Sequence, residues 1–205
     1  MSERLFFPAT ERNRDAIFPH LKAWARPGLM LEIGSGSGEH AAYMVPQLEG
    51  ITWLPTDLDD AHVASIAAWR DHTGHARFLS PRRLDVTEPW ALDDAVAAHG
   101  PVTTIFTANV IHIAPPDVMP ALINGASAQL SQGGRLIFYG PFMEAGQHTS
   151  PSNIDFDAWL KKKDPSFGIK DRFVVEDVAA GAGFSLMAVE AMPANNFMLM
   201  FEKTT

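Results

Sequence analysis

The segment from residue 29 to residue 40 constrains this chain more than any other, because three glycines alternate in it directly after an apolar run. It reads LMLEIGSGSGEH, with glycines at positions 34, 36 and 38. The apolar run predicts the end of a buried parallel strand, and the alanine-rich stretch after the glycines predicts a helix. A strand, a glycine loop and a helix bring backbone N–H groups close to a ligand, which indicates a nucleotide-like site. The alternative is a tight turn that binds nothing.

Apolar runs and helical patterns alternate along the whole chain, and this order predicts the fold class. Five strands, each followed by a helical segment, are expected near residues 30–33, 52–56, 83–86, 103–108 and 135–139, and two more at 186–191 and 197–202. Alternating strands and helices form a parallel sheet covered on both faces. We therefore predict a doubly wound α/β fold with a seven-stranded, mostly parallel sheet, an antiparallel C-terminal hairpin and a single domain over residues 1–205.

Carboxylates are predicted at the carboxyl ends of the first three strands, where ligands gather in such sheets. Glu32 ends the first strand and Asp57 the second. An acidic residue about 20 positions beyond a glycine loop accepts hydrogen bonds from ribose hydroxyls in doubly wound nucleotide sites. Asp59 is the alternative for this role, whereas Asp60 is interpreted as the cap of the next helix.

Asp85 is predicted to end the third strand. A carboxylate there accepts a hydrogen bond from the adenine amino group, and the backbone of Val86 pairs with the ring edge. The alternative for Asp85 is a turn-forming aspartate.

The glycine spacing separates two kinds of cofactor loop. The dinucleotide fingerprint G-x-G-x-x-G would need glycine at position 39, where Glu39 stands. An acidic residue two positions before G-x-G-x-G resembles instead the cofactor loop of S-adenosylmethionine-dependent methyltransferases. The methionine end of that cofactor carries an ammonium and a carboxylate but no pyrophosphate, and free N–H groups beside one carboxylate suit it. The expected cofactor residues in and after the strands are Glu32, Gly34, Ser35, Gly36, Asp57, Asp85, Val86 and Asn109.

The composition and net charge limit the classes of partner that this chain is expected to bind. The chain has 205 residues, 46% of them hydrophobic, a formal net charge of −8 and no cysteine. Nucleic-acid binding needs clustered basic residues, so the acidic balance argues against that class of partner. The apolar runs are too short to span a bilayer, and thiolate metal sites and disulfides are excluded. We expect a cytoplasmic protein with a small-molecule substrate, no resident metal and no membrane or nucleic-acid partner.

Several less generic segments resemble the methyltransferase-like 26 family, which was long catalogued as a domain of unknown function. They lie at residues 10–17, 32–40, 84–87, 109–113, 139–142, 152–157 and 192–196, so the resemblance runs essentially from end to end. It implies a class I methyltransferase fold and binding of S-adenosylmethionine, and it supplies no substrate.

Three residues are candidates for the chemistry beside the transferable methyl. His112 follows the fourth strand and is the candidate general base, because imidazole titrates near neutral pH. Tyr139 ends the fifth strand on the same rim, and Asn13 belongs to the polar segment expected to cross the cofactor. The alternatives are that His112 merely packs or caps, that Tyr139 is an amphipathic core residue and that the segment around Asn13 caps the first helix.

Residues 1–27 are predicted to form a helical lid over the cofactor. Arg12 or Arg14 would then pair with the methionine carboxylate, and Arg12 is assigned to the cofactor site. Three hypotheses of function follow: a methyltransferase for a small-molecule oxygen or nitrogen acceptor, a non-catalytic S-adenosylmethionine-binding module, and an adaptor that uses the fold as an interaction surface. The intact set of loop and carboxylates argues against the third.

Overall fold

The protein, in a computed structural model that describes residues 4–205, is built on a seven-stranded sheet with helices on both faces. The helices are α1 (Pro8–Trp24), α2 (Glu39–Met44), α3 (Asp60–Thr73), α4 (Asp93–His99), α5 (Val118–Gln129), α6 (Pro151–Lys163) and α7 (Arg172–Gly181). The strands are β1 (Gly28–Ile33), β2 (Ile51–Asp57), β3 (Arg82–Arg83), β4 (Val102–Ala108), β5 (Arg135–Gly140), β6 (Met143–Glu144), β7 (Gln147–His148), β8 (Phe184–Met192) and β9 (Asn196–Lys203).

The sheet runs in the order β3-β2-β1-β4-β5-β9-β8, and β6 pairs with β7 in a separate small hairpin. Strands β1 to β5 are parallel, whereas β9 pairs antiparallel with both β5 and β8. The predicted fold is thereby confirmed. The strand order reverses between β1 and β4, and the crevice at the carboxyl ends of these strands is where open α/β sheets bind ligands.

Two buried clusters hold helices to the two faces because successive strand residues point to opposite sides. Leu29 and Leu31 of β1 pack with α4, α5 and α7, whereas Met30 packs with Ile17 and Leu21 of α1 and with α2. Both clusters are essentially inaccessible to solvent. The central strands are therefore fixed from both sides, and the loops at their ends carry the polar residues.

Helix ends differ in places from the sequence prediction. α1 begins at Pro8, six residues earlier than expected, since proline is well tolerated in the first helical turn. Asp59, and not Asp60, caps α3: its Oδ1 accepts hydrogen bonds from the backbone N–H groups of Ala61 at 2.7 Å and His62 at 3.4 Å. Within residues 4–205 there is no helix with the length and apolar character needed to cross a membrane.

Candidate cofactor and acceptor site

The glycine loop between β1 and α2 has a conformation that side chains would obstruct. Gly34 has φ +69°, and a Cβ there would lie 2.2 Å from Cγ2 of Val110. Gly38, at φ +93°, would place a Cβ 2.8 Å from the Cα of Ile66 in α3. Left-handed backbone and close approach both call for glycine. The loop therefore brings its backbone against the β4 edge, beside the point where the strand order reverses.

Asp57 faces this loop from the end of β2. Its Oδ2 accepts a hydrogen bond from Gly36 N at 2.8 Å, and its Oδ1 accepts one from Asp59 N at 3.0 Å and lies 3.1 Å from His62 Nδ1. The side chain is 8% exposed in this network. The predicted proximity of Asp57 to the loop is thus present in the fold, whereas Asp59 turns away to cap α3.

Glu32 lies beneath the loop and is buried, with 2% exposure. Its Oε2 accepts a hydrogen bond from Trp53 Nε1 at 2.9 Å, and its Oε1 lies 3.8 Å from His40 Nδ1. Burial raises the pKa of Glu32 to about 7, although the hydrogen bonds from the side chains of Ser35 and Trp53 act in the opposite direction. This carboxyl can therefore change its charge near neutral pH.

A buried hydrogen-bond chain extends from this floor to β5. His40 Nε2 lies 2.9 Å from Asn13 Oδ1, and Asn13 also bonds to the side chain of Tyr139. Burial lowers the pKa of His40 to about 4, so the ring is neutral and its Nε2–H donates to the amide oxygen. Burial also raises the pKa of Tyr139. Asn13 and Tyr139, both predicted to lie beside the transferable methyl, are thus brought together, His40 joins them without having been named from the sequence, and their place beside the methyl stays a prediction.

The two arginines of α1 have different surroundings. Arg12 is exposed, and its positive charge acts on Tyr139, opposing the rise in the pKa of that phenol. Arg14 stacks on the ring of Tyr43 at 4.7 Å, and its Nε is buried with no hydrogen-bond partner. The charge of Arg14 acts on His40, so the two arginines flank buried Asn13 on α1, and Arg12 is the more exposed of them.

The chain before α1 contacts the glycine loop directly. Phe7 N donates to Glu39 Oε2 at 2.7 Å, and the Phe7 ring lies where a Cβ on Gly36 would approach it to 3.1 Å. The ring also meets His62 edge to face at 5.5 Å between centroids. The N-terminal segment thus lies over the loop as a lid would. Residues 1–3 of the predicted lid lie outside the described residues.

Asp85 is not at the end of a strand. β3 ends at Arg83, because only Arg82 and Arg83 pair with β2. Asp85 Oδ1 instead accepts hydrogen bonds from Thr87 N at 3.0 Å and Thr87 Oγ1 at 2.6 Å. The strand prediction was wrong here, and the turn-forming interpretation describes the local geometry. Val86 follows in the same turn, and the contacts of both with adenine remain predictions.

Asn109 occupies the other side of the crevice, immediately after β4. It has a left-handed backbone, with φ 63° and ψ −3°, and its N–H donates to Tyr139 O at 2.8 Å. Asparagine tolerates this conformation better than most residues. The backbone turn therefore places the amide at the lip of β4 and β5, as the sequence predicted.

His112 is buried one turn further on, at 1% exposure, and packs edge to face on Phe142 at 5.1 Å. Its Nδ1 accepts a hydrogen bond from Lys170 N at 3.2 Å, which leaves the proton on Nε2. Burial lowers the pKa of His112 to about 3. Nδ1 is therefore engaged by the backbone, Nε2 has no hydrogen-bond partner among the described residues, and the role of His112 as general base stays a prediction.

Two buried imidazole nitrogens, on segments that follow β4 and β5, have no hydrogen-bond partner within the described chain. They are His112 Nε2 and His148 Nδ1, the latter in β7 of the small hairpin. Ser35, in the glycine loop, bonds through its side chain to Glu32, and its N–H donates to Thr56 O at 2.9 Å. Buried polar atoms are normally paired, so the two free ring nitrogens are the ones that a polar ligand could engage.

The fold is similar to that of several solved structures. An O-methyltransferase family protein from Burkholderia thailandensis superposes with a TM-score of 0.78 at 13% identity, over 96% of this chain and 57% of that one. An O-methyltransferase family 2 protein from Planctomyces limnophilus, in complex with apigenin, gives 0.72 at 18% identity, over 86% and 50%. Human N-acetylserotonin methyltransferase, in complex with SAM, gives 0.74 at 14% identity, over 96% and 53%.

The chain thus spans about half the length of these structures. At such identities the likeness shows the fold, which is the Rossmann-like fold of class I methyltransferases. A family model described as "Protein of unknown function (DUF938)" matches residues 4–203, and the chain therefore belongs to that family.

Proposed function

We propose that this protein is an S-adenosylmethionine-dependent methyltransferase that acts on an oxygen or nitrogen atom of a small molecule. The observation that carries the proposal is the joint placement of the glycine loop, Glu32 and Asp57 at the strand-order reversal. The segments that resemble the methyltransferase-like 26 family support the same assignment, and we place the chain in that family as part of the proposal.

The residues at the crevice fit this cofactor. The loop offers backbone N–H groups, Asp57 would accept the ribose hydroxyls, and Asp85 with Val86 would meet adenine. Arg12 would pair with the methionine carboxylate, and Asn109 would line the methyl side. When bound, the cofactor supplies a methyl group on an already activated sulfonium, so the protein mainly aligns the acceptor and removes its proton.

A non-catalytic module that binds S-adenosylmethionine is the second candidate. One observation favours it: the lone pair of His112 is occupied by Lys170 N–H. A different general base at the carboxyl-end rim of the sheet would remove this argument for a non-catalytic module. The two candidates share the cofactor site and differ only in whether the methyl group is transferred to an acceptor.

Calorimetry tests the shared part. The purified chain is expected to bind S-adenosylmethionine and S-adenosylhomocysteine with micromolar affinity, roughly −7 to −8 kcal/mol. NAD is the control, because the loop lacks the third glycine of the dinucleotide fingerprint. If millimolar S-adenosylhomocysteine produces no binding heat and no thermal shift, both candidates are ruled out.

A further inference from the structure

The small hairpin after β5 brings a second histidine to a buried carboxylate. His148, in β7, has its Nε2 3.5 Å from Oδ2 of Asp157, which lies in α6. Asp157 is 5% exposed. Its Oδ1 accepts a hydrogen bond from Ile169 N at 2.7 Å, and its Oδ2 also meets Lys161 Nζ at 2.6 Å. Burial tends to raise the pKa of Asp157, but the bonds from Lys161 and Ile169 outweigh it and hold that pKa low.

This arrangement favours one tautomer of His148. The 3.5 Å separation is an ion-pair distance, and an ionised carboxylate there favours the proton on the ring nitrogen that faces it. Nδ1 is then left with a free lone pair. That atom is buried and has no hydrogen-bond partner among the described residues. His148 therefore presents an unused acceptor on a ring that a carboxylate orients, which is the arrangement of a general base.

His112 differs from His148 in which of its ring nitrogens has no hydrogen-bond partner. Because Lys170 N–H occupies its Nδ1, its unpaired atom is the protonated Nε2. The negative charge of Asp157 also acts on His112, whose pKa it tends to raise, so the same carboxylate influences both histidines. Of the two, only His148 can take a proton without first losing a hydrogen bond to the backbone.

The position of α6, and with it Asp157, is fixed from the β8–β9 turn. Asn153 Nδ2 donates to Asn195 O and to Thr149 Oγ1, each at 3.1 Å, and Asn195 Nδ2 donates to Ser152 Oγ at 3.1 Å. Ser150 caps the helix by accepting from Asn153 N at 3.2 Å. These bonds tie together three segments that follow β5 or β8 at the carboxyl-end rim.

We infer that His148 is the general base for a hydroxyl acceptor and that Asp157 is its positioning residue; this rests on the proposed function. The acceptor O–H gives its proton to His148 Nδ1 while its oxygen forms a bond to the sulfonium methyl carbon. The carbon–sulfur bond breaks, and its electron pair stays on sulfur as the neutral thioether. The imidazolium formed is stabilised by the carboxylate of Asp157.

The acceptor class follows from the same groups. A base is needed where the acceptor still holds its proton at neutral pH, as an alcohol or phenol does. A carboxylic acid is already ionised there and gives a base no proton to remove. The site therefore selects a neutral hydroxyl compound.

A measurement that needs no turnover tests the tautomer. Long-range ¹H–¹⁵N spectra of the cofactor-free protein are expected to show the His148 tautomer with the proton on Nε2 and a free Nδ1. In Asp157→Asn, which keeps an acceptor for Ile169 N, this preference should be lost. A His148 ring protonated on Nδ1 in the wild type would overturn the inference.

Transfer is then measured with methyl-tritiated S-adenosylmethionine and a protein-free extract of small molecules from cells as the acceptor source. His148→Asn is expected to lower label transfer by about 10²–10⁴-fold. Affinity for S-adenosylhomocysteine should stay within about twofold, which also shows that the variant is folded. Exposed His72 supplies the matched control, and His72→Asn should transfer at the wild-type rate.

The outcomes separate the two proposals. Transfer by His148→Asn within threefold of wild type overturns the base and leaves the methyltransferase standing. A wild type that binds the cofactor but labels nothing overturns both. Product methyl groups released as methanol by mild alkali would identify esters and overturn the hydroxyl class.

Discussion

Glu32 Oε1 and His40 Nδ1 lie 3.8 Å apart in the buried floor beneath the glycine loop. The pKa of Glu32 is raised to about 7 and that of His40 is lowered to about 4, in both cases mainly by burial. Both groups are therefore neutral between about pH 4 and pH 7 in the folded chain. The floor of the site becomes negatively charged only as Glu32 ionises, and that charge is the one available to an ammonium ligand.

Glu32→Gln is expected to stabilise the cofactor-free chain at pH 8, by about 1–3 kcal/mol. The amide removes a buried charge, and its oxygen still accepts from Trp53 Nε1. The folded pKa of Glu32 lies above the unfolded one, so its ionisation disfavours the fold above pH 7, and the gain should vanish below pH 4.5. Denaturant unfolding at the two pH values measures this, and destabilisation at pH 8 would show that the carboxylate pairs with a charged His40.

The same substitution should weaken S-adenosylhomocysteine binding at pH 8 by about tenfold, because the ammonium loses its charged partner. Calorimetry on both proteins provides the comparison. Unchanged affinity would remove Glu32 from the cofactor site while leaving its effect on stability intact.

The pH dependence of stability between pH 4.5 and 6.5 should follow three buried groups. His40 and His112 stay neutral in the fold, with pKa values of about 4 and 3, but take up a proton on unfolding below pH 6.5. Glu32 does the reverse, since it holds a proton in the fold up to about pH 7. The net effect is one extra proton on the unfolded chain, so stability should rise with pH by about 1.4 kcal/mol per unit.

His112→Asn should flatten this slope almost to zero, because one histidine then balances Glu32. The asparagine oxygen takes the place of Nδ1 and keeps an acceptor for Lys170 N. Urea unfolding at half-unit pH steps gives the slope for each protein. An undiminished slope in the variant would mean that His112 is charged in the folded chain.

Asp57→Ala and Asp59→Ala separate the two neighbouring aspartates. Loss of Asp57 is expected to weaken cofactor binding by about 1.5–3 kcal/mol, because charged hydrogen bonds to the ribose hydroxyls disappear. Loss of Asp59 removes the α3 cap and should cost about 1 kcal/mol of stability while affinity stays within twofold. Calorimetry and thermal unfolding give the two quantities, and equal affinity losses would count against the assignment of Asp57.

Gly34→Ala and Gly74→Ala form a matched pair, since φ is +69° and +63° at the two glycines. Both substitutions incur left-handed strain of about 1 kcal/mol. Only the first also drives a Cβ to 2.2 Å from Val110, whereas nothing lies within 4 Å of the second. Gly34→Ala should therefore be clearly less stable than Gly74→Ala in denaturant unfolding.

Adding Val110→Ala should recover part of the loss in Gly34→Ala and none in Gly74→Ala, because only the former contacts Val110. Equal effects of Val110→Ala on the two backgrounds would show that the loop relaxes away from β4.

Residues at the ends of long, buried strands were predictable from sequence. Glu32, Asp57 and Tyr139 each stand at the end of a strand whose direction and burial leave little freedom. Asp85 was misplaced because β3 is held by only two paired residues, too few to give a hydrophobic pattern. His148 and Asp157 carry no periodic signal, because a two-residue strand and the middle of a separate helix bring them together.

Three hydrogen bonds attach residues 5–7 to the helices that flank the glycine loop. Leu5 N donates to Ser65 Oγ at 2.8 Å, Leu5 O accepts from Trp69 Nε1 at 3.0 Å, and Phe7 N donates to Glu39 Oε2 at 2.7 Å. None of these involves the central sheet, so the segment can detach by local opening while the core stays folded. Ligand exchange would then follow the opening rate of this segment, and slower hydrogen exchange at the Leu5 and Phe7 amides would mark an occupied crevice.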